Sequence, residues 1–172
     1  MTDGSPDPVL LGTLHDAAGL GLVRIRATVE ASMDAVWAAV TDPDRLADWL
    51  GSVEGDLREG GEYRGRWRVS GWEGSGRIQV CDAPHRLVTS AAEADQDGEH
   101  RTAIVLERSG SATSVLVEEQ GMPLEMVAAY GAGTQIHVED LVAFVTGSPS
   151  RNTAERFGVL YPGYQALAVE EA

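Results

Sequence analysis

The chain has one cysteine, four histidines, few basic residues and no apolar run of about 18 residues. Each shortage removes a class of protein. Cys81 has no partner for an internal disulfide and lies in a strand-like run, so it reads as a small buried apolar side chain in a reducing compartment. No stretch is apolar enough to span a bilayer, and the opening MTDGSPDP lacks the basic start and apolar core of a secretory signal. A cytoplasmic location is therefore expected, with no membrane partner. His15, His85, His100 and His137 are far apart in sequence, with no cysteine pair and no His-Glu-x-x-His spacing, so no metal is expected. With 13 basic against 27 acidic residues the formal net charge is −14, and phosphate backbones and anionic lipids are repelled on average. Nucleic acid is not an expected partner.

Familiar cofactor and nucleophile motifs are missing as well. Gly131-Ala132-Gly133 has neither the preceding strand nor the third glycine of a dinucleotide fingerprint, and no lysine follows as in a phosphate loop. Gly71 to Gly76 fails on the same grounds. Ser75 lies in Glu73-Gly74-Ser75-Gly76-Arg77, where a nucleophile elbow would need glycines at positions 73 and 77. No cofactor is expected.

What is present suits one domain of ordinary size: 172 residues, 43% hydrophobic, with 20 glycines and 7 prolines spread between apolar runs. No repeat of fixed period and no low-complexity tract occurs. Val9 to His15 and Leu20 to Glu30 read as a hairpin, with Val23, Ile25, Ala27 and Val29 facing inward. Ser32 caps a first helix carrying Met33, Val36, Trp37 and Val40, which should stop at Thr41; Trp37 is expected in the core. Asp42-Pro43 opens a second short helix with Leu46, Trp49 and Leu50.

From residue 53 the period changes to two. Strands are expected at 53–57, 61–69, 72–81, 86–92, 102–108 and 114–119, separated by turns at Glu59-Gly60-Gly61, Asp82-Ala83-Pro84, Asp95-Gln96-Asp97-Gly98 and Ser109-Gly110. Such short links favour an antiparallel meander. Arg64, Arg66 and Arg68 alternate with Tyr63, Gly65 and Trp67, which places the arginines on a solvated outer face. Past Met122-Pro123, residues Val127, Thr134, Val138, Leu141 and Val145 predict a long helix of roughly seven turns up to Gly147. One more short helix, Ala154 to Leu160, should end before Pro162, with residues 169–172 frayed. The layout is then a flexible N-terminus (1–8), a main domain (9–147) and an extension (148–172).

The run from Val29 to Pro43, with its Val36-Trp37 pair and Thr41-Asp42-Pro43 close, resembles the entry signature of the START-like superfamily. Trp49, the stretch Leu57 to Tyr63, Gly76, the Pro84 to Val88 step and Tyr130 to His137 are similar to the branch named after activators of the heat-shock-protein ATPase. The resemblance covers about Leu10 to Gly147. It implies an α+β helix-grip fold, a curved antiparallel sheet wrapped around a long C-terminal helix with two short helices after the first hairpin. A chaperone is only weakly implied as a partner, because co-chaperones use a separate domain for that contact. Members usually carry a tryptophan where Thr134 stands. If that position faces the cavity, the exchange enlarges the space and adds a hydroxyl; otherwise Thr134 merely packs.

Sheet-on-helix geometry leaves an internal space when inward positions are small or widely spaced. One face of the fifth strand reads Trp72, Gly74, Gly76, Ile78 and Val80. Its glycines either leave room for a ligand or serve only curvature. Trp49, Tyr63, Trp67, Trp72 and Tyr130 can line the space, each with a polar group that a ligand could satisfy. His137, one turn from Thr134, offers proton transfer near neutral pH or is a structural histidine. The expectation is a domain that binds a small apolar or amphipathic ligand at Trp49, Tyr63, Trp67, Trp72, Gly74, Gly76, Tyr130, Thr134 and His137. Its alternatives are a chaperone-activator-like interaction protein and a cavity enzyme of hydrolase or cyclase type using His137. No catalytic residue is assigned.

Overall fold

The computed structural model describes residues 9–92 and 98–172. The stretch 1–8, expected to be flexible, and most of the turn expected at 95–98 lie outside the described residues. Among those described, β1 (Gly12–Ala17) and β2 (Leu20–Val29) form the first hairpin. Its two-residue turn uses Ala18 at φ 55° and Gly19 at φ 89°, and the Gly19 N–H donates to Asp16 Oδ1 at 2.7 Å. Two successive left-handed residues give the turn that matches strand twist. The alternation holds: Val23, Ile25 and Val29 are fully buried.

Helices α1 (Met33–Thr41) and α2 (Pro43–Trp49) start where their caps predict. Ser32 Oγ accepts from the Ala35 N–H, and Asp42 Oδ1 from the Asp44 N–H, satisfying amides that the first turn leaves open. Trp37 departs from expectation. The inward face of α1 is Val36, Ala39 and Val40, and Trp37 sits half-buried on its flank, bridging two apolar clusters.

Six strands follow: β3 (Gly51–Gly55), β4 (Glu62–Trp67), β5 (Glu73–Asp82), β6 (Arg86–Ala92), β7 (His100–Ser109) and β8 (Ala112–Pro123). With β9 (Val169–Glu171) the sheet runs β3-β4-β5-β6-β7-β8-β2-β1-β9. Every pairing is antiparallel except β1 with β9, which is parallel. The sheet is open rather than closed, with β3 and β9 at its edges. Arg64 and Arg66 point outward as expected, alternating with buried Tyr63 and Gly65, whereas Arg68, past the end of β4, is exposed at the edge of the internal space and donates to the Ala47 carbonyl.

The long helix α3 (Val127–Thr146) has 20 residues, about five and a half turns rather than seven. Met122 and Pro123 extend β8 opposite Leu20 and Gly21, and Leu124–Met126 form a 3-10 turn before the helix begins. Gly147, at φ 72°, closes it in the left-handed conformation expected of a C-cap. Among the described residues no helix is long and apolar enough to cross a membrane.

Beyond Ser148 the chain is more ordered than its sequence suggested. Helix α4 (Thr153–Gln165) continues through Pro162. The proline lies near the C-terminal end and is exposed, as is Gly158 one turn earlier, so water can reach the carbonyl that loses its partner. The inward face of α4 overrides the stop signal: Leu160 and Tyr164 are fully buried, and Tyr164 Oη donates to Gln135 Oε1 at 2.6 Å. A Cβ at Gly131 would lie 2.6 Å from the Tyr164 ring, so the absent side chain there lets α4 approach α3. Glu139 on α3 takes a bidentate pair from Arg156 at 2.9 and 2.6 Å. The last residues, expected to fray, instead form β9, paired with Leu14 to Asp16 of β1.

Candidate functional site

Period two decides which strand residues look toward α3. Val53 of β3, Tyr63 and Trp67 of β4, Ile78 of β5, Leu87, Thr89 and Ala91 of β6, Thr102 and Ile104 of β7, and Val117 of β8 all line one space. The opposite wall comes from Tyr130, Gly133, Thr134, His137, Val138 and Leu141, which recur every three or four residues on one face of α3. Trp49 and Leu46 of α2 and Phe157 of α4 close the sides. The cavity measures about 1070 Å³. Exposed members of its lining, Arg68, Gly71, Glu73, Met126 and Ala154, mark where it meets solvent.

One end of this apolar space is polar. Glu119, on β8, has a side chain only 16% exposed, and its Oε2 lies 3.7 Å from His100 Nε2 on neighbouring β7. Thr134 Oγ1 is 2.9 Å from the same oxygen and 2.7 Å from the Tyr130 carbonyl oxygen, so its single hydroxyl proton serves one acceptor at a time. The His100 and Tyr130 rings lie 5.5 Å apart. Burial pushes the Glu119 carboxyl up, but the hydrogen bond and charge of His100, the charge of His137 and the Thr134 hydroxyl outweigh it, leaving the group below the ordinary carboxylate range. Burial pushes the His137 imidazole down, and the Glu119 charge opposes this only in part. An ionised carboxylate thus sits beside a neutral imidazole at neutral pH. The Nε2 atom of His137 is enclosed and has no hydrogen-bond partner.

Of the nine residues singled out from sequence, Trp49, Tyr63, Trp67, Trp72, Tyr130, Thr134 and His137 line this space. Gly74 and Gly76 do not. They face α3, but a Cβ on Gly74 would meet the Trp72 ring at 2.7 Å, and one on Gly76 would meet the Tyr63 ring at 2.5 Å. Their missing side chains are filled by those two aromatics instead of leaving room for a ligand. Two polar groups expected to seek a ligand already have protein partners: Trp49 Nε1 donates to the Ala39 carbonyl at 2.9 Å, and the Tyr63 hydroxyl meets Thr89. The neighbours of His137 in the chain do not assist it, since Glu139 pairs with Arg156 and Gln135.

Sequence reading missed Glu119 and His100. The four histidines were read as unrelated, yet two of them flank one carboxylate because β7, β8 and α3 converge there. Only the inward parity of Glu119, shared with Val115 and Val117, could have signalled it. Among the described residues no cluster of three or more His, Cys, Asp or Glu side chains is arranged to hold a metal ion.

A helix-gripping sheet with this order of elements is shared with known proteins. The family model described as Activator of Hsp90 ATPase homolog 1-like protein matches residues 30–146. The chain belongs to this family. It lies within the START-like superfamily that the resemblance indicated. Among solved structures, the chain is similar to CalU16 from Micromonospora echinospora, with 26% identity over 91% of this chain and 94% of that one, and a TM-score of 0.74. DynU16, described as a protein in the dynemicin biosynthetic locus, is 29% identical with a TM-score of 0.67; the match covers 77% of this chain and half of DynU16. The protein encoded by gene BPP1335 of Bordetella parapertussis, 15% identical with a TM-score of 0.71 over 96% of both chains, shares the fold. No curated protein matches the chain.

Proposed function

We propose that the protein binds a small apolar or amphipathic molecule between the sheet and α3. The observation that carries this reading is a cavity of about 1070 Å³ whose walls are largely aromatic and aliphatic, with Glu119, His100, Thr134 and His137 grouped at one place among them. That volume and that distribution of polarity are those of small-molecule sites, which are mostly apolar with a few groups that orient the ligand. An unfilled apolar space also forgoes packing contacts that an occupant restores. Affinity for the folded state then appears as added stability. At a ligand concentration about 100 times Kd the gain is about 2.7 kcal/mol. For a chain of this size that raises Tm by about 5–11 °C.

Thr134→Trp tests the location. An indole there buries about 150 Å² of apolar surface, worth about 4 kcal/mol, against about 1.5–3 kcal/mol for the lost bond to Glu119. The variant is expected to melt slightly higher without ligand and to lose the ligand-dependent rise. Retention of the full rise would place binding elsewhere. A second reading, proton-transfer catalysis, draws support from the neutral His137 beside the ionised Glu119. It requires that His137→Ala abolish turnover of some ester, lactone or polyketide-like compound, whereas the binding reading requires that this variant still bind.

A further inference from the structure

We propose that the polar end of the cavity recognises a protonated amine carried on an apolar or aromatic frame, with Glu119 as its counter-ion. This rests on the cavity-binding reading and adds the chemical class of the ligand. Among the described residues the lining contains two carboxylates and one guanidinium. Glu73 and Arg68 are exposed where the cavity meets solvent, and Arg68 donates to the Ala47 carbonyl; Glu119 alone is withdrawn, its side chain 16% exposed. The whole chain has no lysine. The positive partners that the fold offers Glu119 are imidazoles, His100 at 3.7 Å and the neutral-leaning His137.

A carboxylate accepts hydrogen bonds and cannot donate them, so its ligand group must be a donor. Beside a carboxylate as withdrawn as Glu119 the charged pair is stronger than the neutral one, and a second anion is repelled. The walls favour the same choice. Trp67 and Trp72 pack with ring centroids 5.1 Å apart, and Tyr130 lies beside the polar end; the faces of such rings attract cations. A net charge of −14 raises the local concentration of cations before they enter. Fatty acids and other carboxylates are the wrong class for this cavity.

The test compares three probes of one frame, 2-(2-naphthyl)ethylamine, 2-(2-naphthyl)ethanol and 2-naphthylacetic acid, by calorimetric titration of the full chain near neutral pH. The expected order of affinity is amine, alcohol, acid, with the amine at least about tenfold tighter than the acid. Glu119→Gln should cut the amine's advantage over the alcohol to less than about twofold while leaving alcohol binding nearly unchanged. Glu73→Gln, at the mouth, should leave the order intact. Raising salt to about 0.5 M should also preserve the order, because a partly buried pair is screened less than a surface field. This measurement decides the matter even if Glu119→Gln does not fold. Binding of none of the three overturns the cavity reading itself. An amine no tighter than the alcohol, an acid tighter than the amine, or an advantage that survives Glu119→Gln or vanishes with salt overturns the inference about Glu119 and leaves the cavity reading standing.

Discussion

Gly76→Ala puts the packing of the cavity wall to a direct test. At Gly76 of β5 an added Cβ would lie 2.5 Å from Cζ and Oη of Tyr63 and 2.6 Å from the main-chain oxygen of Ser90. The tyrosine ring borders the cavity and can swing into it, but the Ser90 carbonyl belongs to β6 in register with Arg77, so it cannot retreat without disturbing the ladder. Overpacking of this kind costs about 1–3 kcal/mol. At about 2–4 °C per kcal/mol for a chain of this size, Tm should fall by roughly 2–12 °C. Gly133→Ala is the matched control: it lies inside α3, lines the same cavity, and an added Cβ there meets nothing within 4 Å. Removing a glycine from a helix interior gains about 0.5–1 kcal/mol, so this variant should melt slightly higher. Differential scanning calorimetry of both variants supplies the comparison. A Gly76→Ala protein that melts within a degree of the parent would refute the placement of Tyr63 over the glycine.

Three further outcomes are expected. Trp37→Ala should cost about 3 kcal/mol or somewhat less, below the range for a fully buried tryptophan because the ring is half-exposed; thermal melts check this, and a shift within a degree would mean the ring bridges nothing. Acid should destabilise the fold through His137 and Glu119: the unfolded imidazole takes a proton below about 6.5 that the folded one refuses, and below 4.5 the unfolded carboxylate does the same. Stability is therefore present above pH 6.5 and lost as pH falls, and His137→Gln should flatten the decline in Tm between pH 7 and 5; an unchanged slope would contradict the burial of that ring. Arg156→Ala should leave Glu139 without its bidentate partner, cost about 1–3 kcal/mol and speed amide exchange in α4 more than in β2; uniform exchange rates would argue against a clasp.

Much of the fold was readable because its signals are local. The Ser32 cap, Asp42-Pro43, the alternation of Val23, Ile25 and Val29, and Gly147 each specify structure through their immediate neighbours. The C-terminal segment was not readable, because its order comes from distant partners. Tyr164 holds α4 through Gln135 and the gap at Gly131, and β9 exists because β1 offers an unpaired edge. In the site, aromatic residues at inward positions were identifiable by parity. The rings that fill the space at Gly74 and Gly76 were not: Tyr63 stands opposite Gly76 across the β4–β5 pairing, whose register no spacing in the chain encodes, and Trp72 folds over Gly74 from two residues away. The meeting of Glu119 with His100 and His137 depends on three elements converging, and no spacing in the chain encodes it.

Titration with the neutral fluorescent probe N-phenyl-1-naphthylamine tests whether the space between sheet and α3 binds a small apolar or amphipathic molecule. Saturable binding of one probe per chain is expected, seen as probe emission excited through Trp49, Trp67 and Trp72, with loss of that signal in Thr134→Trp. Emission that rises without saturating, or a titration unchanged by Thr134→Trp, would contradict binding there.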